Sequence, residues 1–100
     1  MDNQLKPQMS LFQKGEKFKA LKVSGNANAK MPLHFATREV VIFIEKGEAL
    51  LGISDREITL KAGDSQIIPA MQPHTLLIKD DFQAIVIMEI ESEIKFAQTN

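Results

Sequence analysis

Of the fifteen Val and Ile residues in this chain, only Val23 precedes position 40. β-Branched side chains are stiff at χ1 and pack well on a pleated surface, so the stretch from Val40 to Ile94 is built for strands. Gly, Pro, Asn and Asp interrupt it at Lys46-Gly47, Ser54-Asp55, Ala62-Gly63-Asp64, Pro69 to Pro73 and Lys79-Asp80-Asp81, and an earlier signal stands at Ser24-Gly25-Asn26. From Lys46 onward these signals recur about every ten residues, the spacing of an all-β sandwich or barrel. The pattern predicts strands over 18–23, 34–45, 49–53, 57–60, 66–68, 74–78 and 83–90. No βαβ unit fits between them. One hundred residues, 44% of them hydrophobic, suffice for one core and are read as a single domain over 1–100, with its core over 30–90 and frayed ends at 1–8 and 97–100.

Composition removes several classes of function. With no cysteine there is no disulfide framework, zinc ribbon or thiol nucleophile. No apolar run is longer than that of Val40 to Ile44, far short of the roughly 18 residues a membrane helix needs, so no membrane role is expected. The first residues carry no apolar stretch of the secretory kind, and cytoplasmic residence is the expectation. Charge is uneven: residues 1–30 hold six lysines against Asp2 and Glu16, while the remainder is acidic. Lysines alternating with Phe18, Ala20 and Leu21 read as the wet side of an amphipathic strand. Without an arginine or aromatic reading motif beside them, nucleic acid is not expected as a partner.

The segment Gly63-Asp64-Ser65-Gln66-Ile67-Ile68-Pro69-Ala70-Met71-Gln72-Pro73-His74-Thr75-Leu76-Leu77-Ile78 resembles the second motif of the cupins, G(x)5PxG(x)2H(x)3N. Glycine, proline and histidine match in register, whereas Met71 stands at the second glycine and Ile78 at the asparagine. The first cupin motif, G(x)5HxH(x)3,4E(x)6G, lies without gaps when its last glycine is Gly47. His34 then takes the first histidine, Ala36 the second and Val40 the glutamate. Another register sets His34 at the second histidine and Glu39 at the glutamate, but needs one extra residue before Gly47. The gap-free register is preferred because it keeps His34, Ala36, Val40 and Ile42 on one face of a strand, whereas Glu39 would face the other way unless a bulge intervened. The resemblance implies an antiparallel jelly-roll barrel with a small-molecule pocket in its mouth. It implies no particular activity.

The chain has only two histidines, and both fall at positions where the resemblance implies ligands. A complete cupin site usually has three histidines and a glutamate around a divalent transition metal. Here His34 and His74 alone would hold such an ion weakly, and Glu39 joins them only in the second register. Met31 and Met71 each precede a histidine by three residues, a set of thioethers and imidazoles that would suit Cu(I), although a three-residue offset on an unbroken strand points the two side chains apart. The candidate pocket comprises His34, Ala36, Val40, Ile42, Met71, His74, Leu76 and Ile78. It is apolar apart from its imidazoles and has no Trp or Tyr to stack on a sugar, so a small, partly apolar organic molecule is the expected ligand.

Three functions follow from this. The first is a non-catalytic binding barrel without a complete metal site. The second is a metal-dependent oxygenase or isomerase using His34, His74 and Glu39. The third is a structural or interaction barrel with a filled core. The apolar face of Val41 and Phe43, with both faces of 84–90, offers more apolar surface than one small barrel encloses, so a homodimer is expected.

Overall fold

The structure is a computed structural model that describes residues 6–96, and over these it is antiparallel β throughout. Its eight strands are β1 (Gln8–Lys14), β2 (Phe18–Gly25), β3 (Lys30–Ala36), β4 (Val40–Ile53), β5 (Arg56–Lys61), β6 (Ser65–Ile68), β7 (His74–Glu89) and β8 (Ile94–Phe96). The all-β class expected from turn spacing and the Val/Ile distribution, and the jelly-roll arrangement implied by the resemblance, are what is observed. The expected fraying over 1–8 gives way at Gln8, which begins β1 against Ser24 of β2. Residues 1–5 and 97–100 lie outside the described residues.

Two long strands carry the architecture. β4 and β7 run antiparallel along nearly their whole length, from Val41 opposite Ile87 to Ile53 opposite His74. The first half of β4 and the second half of β7 belong to one layer, ordered β1-β2-β7-β4-β6. Their other halves belong to a second layer, ordered β8-β3-β7-β4-β5. The signals at Lys46-Gly47 and Lys79-Asp80-Asp81 are therefore corners within strands, where the sequence suggested breaks between them. Register shifts between Ile44 and Ala49 mark the corner in β4. Bulges of this kind bend a strand and let it pass from one layer to the other. Gly47 sits there with φ +85°, and a Cβ at this position would collide with the Asp81 carbonyl. The bulge also switches the inward parity of β4, from Val40, Ile42 and Ile44 to Ala49 and Leu51.

A different irregularity shapes β3. Its partners on β7 run Lys30 to Leu77 and Met31 to Leu76, then jump to His34 opposite His74. Pro32, which has no N–H to give a ladder, occupies the bulge with Leu33. The extra residue resets the alternation, so Met31 and His34, three apart, are both buried. The core gathers these inward faces with Val23, Leu60, Ile68, Phe82, Ala84 and Met88.

Candidate functional site

His34 and His74 are direct cross-strand partners on β3 and β7. They are neighbours on adjacent strands, with ring centroids 4.2 Å apart and planes tilted by 59°. Each ring is anchored by its own chain. Nδ1 of His34 lies 2.6 Å from the Pro32 carbonyl oxygen, and Nδ1 of His74 lies 2.9 Å from that of Gln72. Each histidine thus bonds the residue two places before it, Pro32 in the β3 bulge for one and Gln72 in the loop before β7 for the other. The far side of the His34 ring meets Phe96 of β8, centroids 5.5 Å apart. Both imidazoles are buried, each with 6% of its surface exposed. Burial pushes the His34 pKa down to about 4, against the pull of its Pro32 hydrogen bond and with help from the charge of His74. Burial also lowers His74, opposed by the bond to Gln72. Both rings are therefore neutral at pH 7.

The pair opens on a partly enclosed cavity of about 50 Å³ between the two layers. Six of the eight expected pocket residues line it: His34, Ala36, Val40, Ile42, His74 and Leu76. Two do not. Met71 stands on the loop before β7, 58% exposed, with φ +65°. That left-handed conformation explains why the cupin motif has glycine at this place. Ile78 shares the inward face of His74 and Leu76 but is fully buried at the far corner, packed where β2 ends at Gly25. The rest of the lining comprises Met9, Val23, Met31, Leu51, Ile68, Val86, Met88 and Ile94. Met9 and Ile94 come from β1 and β8, short edge strands whose sequences carry no β-branched run. The β3 bulge that brings Met31 inward has one visible cue, Pro32.

Glu39 does not join the histidines. The chain between β3 and β4 turns outward at Thr37 to Glu39, and Glu39 is exposed on a separate surface depression with Arg38, Glu89 and Glu91. Arg38 forks onto Glu89 and Glu91 at 3.1 and 3.2 Å, an exposed arrangement worth at most about 1 kcal/mol. Among the described residues no three His, Cys, Asp or Glu side chains come together as a metal site. Two imidazoles without a carboxylate do not fit the usual cupin donor set. The copper arrangement also fails, since Met31 faces the cavity and Met71 faces solvent. The strand expected over 34–45 is interrupted, yet His34, Ala36, Val40 and Ile42 still point one way, because the Thr37 to Glu39 loop spans an odd number of residues.

The family model described as "Cupin domain" matches residues 23–90. No curated protein matches the chain significantly. Among solved structures, an RmlC-like cupin protein from Desulfovibrio desulfuricans has a TM-score of 0.73 at 22% identity, over 84% of this chain and 82% of that one. The polyketide cyclase RemF from Streptomyces resistomycificus has a TM-score of 0.81 at 16% identity, over 99% of this chain and 78% of its own. The DMSP lyase DddQ from Ruegeria pomeroyi scores 0.82 at 22% identity, over 92% of this chain and 52% of the larger enzyme. At such identities the likeness is one of fold.

Proposed function

Because this chain belongs to the cupin domain family, we propose that it works as a small-molecule-binding barrel whose site is the cavity beside His34 and His74. The observation that carries this reading is the combination of space and polarity at one place. Small side chains at Ala36 and Val40 leave room where larger ones would fill the barrel, and among the described residues the only polar side chains lining that room are the two imidazoles. A core closed for stability alone gains nothing from two histidines, which cost more to bury than hydrocarbon of the same size. The ligand is small and partly apolar. About 50 Å³ admits a molecule of a few heavy atoms, and the unbranched side chains of Met9, Met31 and Met88 can shift to admit somewhat more. A metal-dependent enzyme would need a third ligand, and the position of Glu39 speaks against the one the sequence offered.

The test is ligand-induced thermal stabilisation by a panel of small apolar molecules each carrying one polar group, run on the wild type and on Ala36→Leu. Binding to the folded state raises the melting temperature by mass action. Hits that vanish in Ala36→Leu, whose added bulk occupies the cavity, support the reading. A panel without hits, or hits indifferent to that substitution, would leave the filled barrel as the better account.

We also propose that two copies pair through the outer face of the β1-β2-β7-β4-β6 layer. Ile67, Val41 and Ile87 lie in one register row there, and Phe43 and Ile85 in the next. Phe43, Ile67 and Ile87 are each at least 40% exposed. Lys22, Glu45, Gln83 and Glu89 surround them, which is the apolar centre and polar rim of an interface. Sedimentation at tens of micromolar, roughly the range where modest interfaces assemble, is expected to show a dimer that Phe43→Glu dissociates. A wild type that stays monomeric would refute the pairing.

A further inference from the structure

The two carbonyl contacts decide what the cavity offers a ligand. A carbonyl oxygen can only accept, so Nδ1 of His34 donates to Pro32 at 2.6 Å and Nδ1 of His74 donates to Gln72 at 2.9 Å. A neutral imidazole has a single N–H, which leaves Nε2 of each ring as a bare lone pair. Among the described residues neither Nε2 has a hydrogen-bond partner, and the only buried side-chain polar atom without one is Ser92 Oγ. The Nε2 atoms are therefore not sealed in protein, and both rings line the cavity. The other described residues on the cavity wall bring only hydrocarbon or thioether side chains, Met31, Ile42, Leu76 and Met88 among them. Among the described residues the site thus holds two acceptors and no side-chain donor.

We infer that this cavity selects a small neutral molecule that brings its own proton, an O–H or N–H on an apolar body, and rejects carboxylates and other anions. The inference rests on the reading of the cavity as a binding site. A ligand without a donor would strip water from two lone pairs and return nothing, which is where buried acceptors discriminate most sharply. An anion would place its charge against those lone pairs, in apolar surroundings that cannot replace its hydration. Protonating one ring to receive it would place a cation in the same apolar surroundings, 4.2 Å from the second ring.

Three probes separate the possibilities: pyrrole, furan and propionate. Pyrrole and furan are near-isosteric rings that differ in whether they carry an N–H, and propionate is a small anion with an apolar tail. Each is titrated at neutral pH into protein labelled with ¹³C in its methionine methyls and ¹⁵N in its histidines, following Met31, Met88 and the two Nε2 resonances. In the free protein both rings should show a protonated Nδ1 and a bare Nε2. Pyrrole should shift the methyls and Nε2 saturably, furan should bind about tenfold more weakly for want of one hydrogen bond, and propionate should leave all four signals in place. Furan matching pyrrole, propionate binding as well as pyrrole, or protonated Nε2 in the free protein would overturn the donor rule while leaving the cavity a binding site. Methyls unmoved by all three probes would overturn both.

Discussion

Acidification should destabilise this protein before its carboxylates are involved, and His34 should be a main cause. The folded state holds the His34 pKa at about 4, whereas the unfolded chain releases the ring to its ordinary 6.5. A base whose pKa falls on folding binds its proton more readily when unfolded, so stability is full above 6.5 and drains away as the pH drops toward the folded value. At about pH 5 the unfolded imidazole is nearly all charged and the folded one mostly neutral, a difference of roughly 2 kcal/mol in the limit. The cavity partly opens to water, which screens the effect, so about 1 kcal/mol is expected. For a domain of this size that lowers the melting temperature by roughly 4–8 °C between about pH 7 and about pH 5. His74 is shifted in the same direction and adds to the slope. Thermal or urea melts of the wild type and His34→Phe across that range make the comparison. The variant keeps every carboxylate and His74 but loses the titrating ring, so it should show a visibly shallower dependence. Equal stability of the wild type at both pH values, or an unchanged slope in His34→Phe, would refute the reasoning.

Other consequences are equally open to measurement. Gly47→Ala should cost about 3 kcal/mol or more, because it places a Cβ against the Asp81 carbonyl at a positive φ; a fully stable variant would mean the β4–β7 corner is built differently. Met71→Gly should stabilise by about 0.5–1 kcal/mol, the relief of a left-handed methionine less the extra freedom of an unfolded glycine, and a lower urea midpoint would contradict it. Zinc uptake at neutral pH, measured on the same protein by elemental analysis, should be weak, should disappear in His34→Ala or His74→Ala, and should be unchanged in Glu39→Gln. Loss of uptake in the Glu39 variant would restore that residue to the site.

The fold was legible because its signal is compositional and repeated. β-Branched residues concentrate after Val40, and turn residues punctuate them at even intervals. The site was legible to the extent that alternation along a strand survives a loop, as it does for His34, Ala36, Val40 and Ile42. Three features were hidden for physical reasons. β1 and β8 are edge strands held by pairing to β2 and β3 more than by their own propensity, and β1 is exposed along its whole length. The corners at Gly47 and Asp81 look like turns because they use turn residues, yet the ladder continues through them. Met31 enters the cavity by a bulge, and a bulge inverts the alternation from which a sequence is read. Met71 failed for the opposite reason: the family motif has glycine there for backbone conformation, so the position never pointed inward.

Whether the space beside the histidine pair is accessible is tested most directly by xenon. Xenon occupies apolar cavities without needing a hydrogen bond, so it reports on space independently of the donor rule. Under increasing xenon pressure the Met31 and Met88 methyl resonances should shift and saturate in the wild type, and should stay fixed in Ala36→Leu. Methyl signals that do not move in the wild type would show a filled barrel, and the binding account would fall with them.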